Sequence, residues 1–278
     1  MKSKVIFLLL WGAIHFVPVS GQNSNIGVPI IKNFSKKYYN AGTQNWDIRQ
    51  DSRGVMYFGN NKGLLEFDGN NWNLLELKNK TVLRSVATTA DGKIYAGGQG
   101  EFGYFVADDK GALTYISLLR LFPEEQKNFG DVWEIIPLDE TIYFRASGDI
   151  FRMENGKIET LGSPGGEMDF LGLVKGDLFA NDLESGLCKL ENGKFQQVPG
   201  WEITAEKTIT ATLSFDDSTV LFTSLKSGVF LYDGKGVREW EFPGSQFLKE
   251  NRIYCAIALN DQEIAMGTTQ AGLVIVDK

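Results

Sequence analysis

Residues 45–77 read NWDIRQDSRGVMYFGNNKGLLEFDGNNWNLLEL. The stretch divides into four short runs rich in Ile, Val, Tyr, Phe, Leu and Trp, at 45–50, 55–59, 64–67 and 72–77. Between them lie DSRG, NNKG and DG, whose Asn, Asp and Gly tolerate the positive φ that tight turns demand. Alternating, β-favouring runs separated by such turns predict four antiparallel strands. A sheet this small has two faces to cover and cannot stand alone. It needs neighbours like itself.

The chain supplies them. Similar units occupy 84–118, 133–161, 170–198, 210–242 and 254–278. A glycine placed where the third strand should begin recurs as Gly63, Gly103, Gly148, Gly186, Gly228 and Gly272, at intervals of 40, 45, 38, 42 and 44 residues. Four strands per repeat of about forty residues is the signature of β-propeller blades. No segment sustains the 3.6-residue period of a helical solenoid. The predicted fold is therefore all-β: a β-propeller of four-stranded antiparallel blades, with six repeats present.

Residues 1–21 read as a secretory signal peptide. Lys2 and Lys4 precede an apolar core at 5–19, and Val19, Ser20 and Gly21 offer small residues for cleavage. The rival reading, a membrane anchor, needs about 20 apolar residues and the run is shorter. Residues 22–44 form a leader, and 27–35 (GVPIIKNFS) is a lone strand suited to closing the ring, with Pro29 at its start. The longest departure from the repeat is 119–131, LRLFPEEQKNFGD. It reads equally as a binding-face insertion or as an amphipathic turn packed across a sheet edge. The last repeat stops after its third strand. Either residues 27–35 supply the missing strand and close six blades, or the chain continues and the ring has seven.

Composition removes several chemistries. Cleavage after Gly21 would take away His15, the only histidine, leaving 257 residues with 26 basic and 35 acidic side chains, a net charge of −9. A surface of that sign repels nucleic acid. Histidine-based catalysis and histidine-ligated metal are excluded from the exported segment. Cys188 and Cys255 fall in non-adjacent blades, so both are expected to be small buried residues rather than a disulfide, and two thiols are too few for zinc. Asn181, Asp182 and Glu184 could offer oxygen ligands to calcium, but a solvated loop accounts for them. The turns at Asp51 and Asp91 sit where sialidase Asp-boxes would, yet lack the full box, and turn chemistry explains them. No catalytic, metal or cofactor site is expected.

Asp51, Gly54, Tyr57, Gly59, Gly63, Leu64 and Phe67 in the first copy, with Ile257, Asp261, Gly267, Thr268, Gly272 and Leu273 in the sixth, form a pattern that resembles the two-component regulator propeller repeat. The opening NFSKKYYNAGTQNWDIRQD resembles the start of such proteins. That resemblance implies a periplasmic sensor of a membrane-anchored bacterial signalling protein, with seven-bladed propellers followed by further signalling domains. It favours an incomplete seven-bladed ring over a closed six-bladed one.

In a propeller the innermost strands line a central funnel. Aligning the copies places Trp46, Arg84, Trp133, Phe170, Thr210 and Tyr254 early in those strands. Of these, Trp46, Arg84, Trp133 and Tyr254 are candidate ligand contacts, because aromatic faces and a guanidinium suit sugars; packing between blades is the competing role. The same alignment puts Gly59, Gly97, Arg145, Ala180, Thr223 and Gly267 at the end of the second strand. Arg145 alone is large there. It must pair with a carboxylate, for which Glu134 and Asp149 are near in sequence, or offer its donors to a ligand. The expected function is extracytoplasmic sensing without turnover, the ligand being an oligosaccharide or another small molecule. The alternative is a protein–protein scaffold, including a homodimer. A glycan-acting enzyme ranks third, since the alignment shows no carboxylates in the funnel.

Overall fold

The computed structural model describes residues 32–278, apart from 78, 125, 126, 128 and 147. The expected signal peptide and most of the expected 27–35 strand lie outside the described residues. Residues 32–35 are irregular and lead into a one-turn helix, α1 (Lys36–Tyr39). The chain divides into two compact units, 1–34 and 35–278, and the second carries the fold.

Six antiparallel sheets follow one another in a ring, the arrangement of a β-propeller. Blade one comprises Asn45–Gln50, Met56–Asn60, Gly63–Phe67 and Trp72–Leu75, hydrogen-bonded in chain order. Blades two to five repeat that order. Blade six has three strands, Ile253–Ala258, Glu263–Thr268 and Leu273–Asp277. The first strands of successive blades stand side by side about the axis.

What holds the ring is packing between blade faces. Strand residues alternate between faces, and each face meets the next blade in its own apolar cluster. Tyr57 and Leu64 of blade one pack on Val86, Ile94 and Phe105 of blade two. Phe102 stacks on Phe144 at 3.9 Å between blades two and three. Three further clusters join three to four, four to five and five to six. The 119–131 insertion joins the second of these five cores: Phe122 and Phe129 are buried against Phe144 and Phe151. Its described residues pack into this core between blades two and three, and none of them is among the residues lining the funnel.

Blade six ends the series with one face bare. Its Leu273 and Ile275 are 67% and 55% exposed, whereas Val229 and Leu231, at the same register in blade five, are 1% and 2% exposed. Ile257 and Cys255 share the bare face. Cys188 is buried as expected, but Cys255 is exposed, because no blade covers it.

The turn glycines hold in five copies. Gly63, Gly148, Gly186, Gly228 and Gly272 all have positive φ at or just before the third strand. In blade two that role belongs to Gly100 (φ 61), and Gly103 lies inside the strand Glu101–Ala107. A Cβ there would come within 2.3 Å of the Ile116 carbonyl oxygen, so the glycine serves close strand packing. Asn181 and Asp182, expected in a solvated loop, are buried instead, and only Glu184 of the three is exposed. Asp182 is consumed by the backbone amides of Gly165, Gly166, Glu184 and Ser185, which makes it a loop anchor.

The bare face sets a test. Leu231→Ala should cost about 2–5 kcal/mol, the usual loss for a buried leucine, while Ile275→Ala should stay within about 0.5 kcal/mol. Urea denaturation of the two variants measures the contrast, and equal losses would mean that blade six is covered in solution.

Candidate ligand-binding funnel

Each first strand carries an irregularity in its pairing at one position. In blade one, Asn45 faces Asn60 and Asp47 faces Gly59, leaving Trp46 without a partner between them. The same break falls at Arg84, Trp133, Thr210 and Tyr254. A bulge frees one residue from the ladder and re-aims its side chain. Here it turns a ring of side chains toward the axis. Trp46, Arg84, Trp133, Thr210 and Tyr254 all line a cavity of about 500 Å3, together with Asp47, Arg49, Glu134 and Phe170.

Blade four departs from the sequence alignment by one residue. Its break falls between Met168 and Phe170, so Asp169 holds the position assigned to Phe170. Phe170 then pairs with Asn181. Asn181, in place of Ala180, is therefore the equivalent of Gly59, Gly97, Arg145, Thr223 and Gly267. Two large polar residues, Arg145 and Asn181, thus stand side by side where the other blades carry small ones.

On one side of the cavity Arg84 packs against two tryptophans. Its guanidinium carbon lies 3.9 Å from the Trp46 ring centroid and 5.1 Å from that of Trp133, and the two indoles meet edge-on at 6.0 Å. Arg84 Nε is 3.2 Å from Asp131 Oδ1, a Coulombic contact, since neither atom reaches hydrogen-bond geometry. The Trp46 indole N–H donates to Asn61 Oδ1 at 2.7 Å. Arg84 is thereby committed to both tryptophans, packing its cation against their rings where they meet. Trp133 and Tyr254 remain 39% and 56% exposed to the cavity side.

The structure adds carboxylates that the repeat alignment does not show. Asp47 accepts from the Val86 amide at 2.9 Å and pairs with Arg49 at 2.9 Å. Burial raises its pKa, opposed by Arg49. Glu134 receives two hydrogen bonds from Arg145, through Nε and Nη2. Arg145 Nη1 also donates to the Met168 carbonyl at 3.3 Å. Burial raises the Glu134 pKa, and the Arg145 charge opposes it. Glu134 nonetheless keeps 30% of its side chain exposed, because it lines the cavity. Arg145 stands behind Glu134 and is absent from the cavity lining. A readable signal existed: Trp46-Asp47, Trp133-Glu134 and Asp169-Phe170 each join an acid to an aromatic at the start of a copy.

The sequence matches no protein-family model and no curated protein. Solved structures give likenesses of fold. The extracellular domain described as that of the hybrid two-component system BT4673 from B. thetaiotaomicron aligns at a TM-score of 0.65 and 18% identity, over 86% of this chain and 32% of that one. That of BT3049 from the same organism aligns at 0.63 and 12%, over 91% and 35%. Virginiamycin B lyase from Staphylococcus aureus aligns at 0.62 and 12%, over 85% of both chains. This chain spans about a third of the length of the two-component neighbours. At these identities the likenesses show the fold alone, an architecture that two-component extracellular domains and a lyase share.

The paired charges yield a test. Glu134→Gln leaves the Arg145 guanidinium without its counter-charge and should cost about 1–3 kcal/mol, below the loss for a fully buried pair because the site touches water. Replacing both, Glu134→Gln with Arg145→Met, should restore part of that stability. A double-mutant cycle by chemical denaturation reads the coupling.

Proposed function

We propose that this chain is the ligand-recognising propeller of an exported bacterial sensor, and that it binds a hydroxyl-rich molecule, an oligosaccharide, in its central funnel without turning it over. The observation that carries this reading is the funnel wall itself. Trp133 and Tyr254 offer partly exposed aromatic faces, which bind the apolar faces of sugar rings. Asp47, Arg49 and Glu134 line the same cavity and provide acceptors and donors for hydroxyl groups. Their charges are internally paired, Asp47 with Arg49 and Glu134 with Arg145, so the wall is polar and close to neutral. Such a surface suits an uncharged polar ligand better than an ion. The extracellular two-component domains among the fold neighbours support export and sensing.

No turnover is proposed because both lining carboxylates are engaged by arginines. A general acid or base must be free to exchange its proton with substrate. The second reading, a docking scaffold for protein, draws on the bare apolar face of blade six.

Calorimetric titration with a panel of soluble oligosaccharides tests the proposal. At least one should release or absorb heat, and Trp133→Ala should weaken its binding at least tenfold while Tm stays within a few degrees. Heat from none of the panel favours the scaffold. Appearance of a shortened glycan in the chromatographed mixture would overturn the claim of no turnover.

A further inference from the structure

Asp169 and Asn181 occupy one bulge and its partner strand, and they are half-bonded to each other. The Asn181 side-chain N–H donates to Asp169 Oδ1 at 2.8 Å and to the Lys207 carbonyl at 2.9 Å. That double donation fixes which end of the Asn181 amide is nitrogen. The remaining atoms of the same two groups, Asp169 Oδ2 and Asn181 Oδ1, are both buried and both lack any hydrogen-bond partner. Asn181 is 0% exposed. Two orphaned acceptors side by side are costly, and one donor would satisfy both.

We propose that the missing donor is a proton on Asp169 Oδ2, which closes a cyclic acid–amide pair with Asn181 and makes the two residues a one-proton switch in the funnel wall. In the closed form the Asp169 hydroxyl donates to Asn181 Oδ1 while the Asn181 amide donates to Asp169 Oδ1. A single solvent proton is gained or lost, and no other bond changes. The charge count agrees. Arg145 is the one cation facing two carboxylates, Glu134 and Asp169, and its fork is taken by Glu134. Asp47, on the first strand of blade one, adds to the negative field at Glu134. Lys207 turns only its carbonyl to Asn181, its ammonium being bound to the Ile203 carbonyl. A second ionised carboxylate would leave the cluster with uncompensated charge. Burial accordingly pushes Asp169 up to about 6, against the opposing pull of Asn181 and Arg145 and with the support of Glu134.

The position couples the proton to the funnel. Asp169 lies between Met168, whose carbonyl accepts from Arg145, and Phe170, which lines the cavity. Ionising Asp169 sets two lone-pair oxygens against each other and places a new charge beside the Glu134–Arg145 pair.

The sign follows from the raised pKa. The folded state binds the proton about 100-fold more tightly than an ordinary aspartate. The contribution of Asp169 to stability is therefore greatest below about pH 4, falls as pH rises toward about 6, and is level above that. Carboxyl 13C NMR of the Asp-labelled chain, with the side-chain amide of Asn181 followed in parallel, reads the switch directly. One carboxyl should titrate with a midpoint near 6, shared by the Asn181 amide and missing from Asp169→Asn. The melting temperature of the wild type should fall between about pH 4.5 and 6.5 relative to that variant. A midpoint persisting in Asp169→Asn would overturn the proposal. If that variant does not fold, the wild-type Asn181 amide decides alone: a midpoint below about pH 5 means that Asp169 is an ordinary ionised aspartate.

Discussion

A β-sheet with two apolar faces is stable only when both are covered, and that constraint shapes this chain from Tyr57 to Val276. Each blade is too thin to own a core. The five apolar clusters all lie between blades, never within one. The inner face of one repeat is the outer wall of the next, so stability accumulates along the ring. Blade six shows the rule by its breach. Strands with the same pattern as those of blade five leave Leu273 and Ile275 exposed, because among the described residues none packs on that face.

The same inner strands that build these interfaces also build the funnel, and a local irregularity separates the two duties. In a regular strand every side chain points into one blade interface or the other. One unpaired residue per first strand breaks the alternation and delivers Trp46, Arg84, Trp133, Asp169, Thr210 and Tyr254 to the axial end of the sheet. The close convergence of strands there explains the small residues opposite. A Cβ on Gly97 would collide with Val132, and one on Gly267 with the Cys255 sulfur. Where blades three and four carry Arg145 and Asn181 instead, each long side chain is tied to an acid on its own first strand, Glu134 and Asp169.

These ties decide the character of the cavity. Arginines at a cavity wall could make it an anion trap, but Arg84 is stacked and paired with Asp131, Arg49 is held by Asp47, and Arg145 by Glu134. What faces the open space is aromatic surface and the free edges of paired carboxylates. Low-dielectric surroundings strengthen such pairs while making an unpaired member expensive. Asp169 is the one acid whose cation is already taken.

Much of this was legible in the residues alone. Strand positions, turns and the repeat follow from local chemistry, in which alternation sets the faces and Gly, Asn and Asp set the turns. The propeller and the gathering of Trp46, Arg84, Trp133 and Tyr254 at the funnel came from those signals. Tertiary structure decided whatever depends on neighbours distant in the chain. A one-residue register difference exchanged Phe170 for Asp169 and Ala180 for Asn181, because the pairing register is set by the position of the bulge, which the strand's alternation alone does not mark. Arg145 went to Glu134 rather than Asp149 because Glu134 is its cross-strand partner, whereas Asp149 pairs with Ala146. Cys188 and Cys255 both sit on strands, yet one is buried and the other exposed. Cys188 faces the core shared with blade three, whereas Cys255 lies on the uncovered face of blade six. Burial is conferred by a neighbouring blade and not by the strand itself.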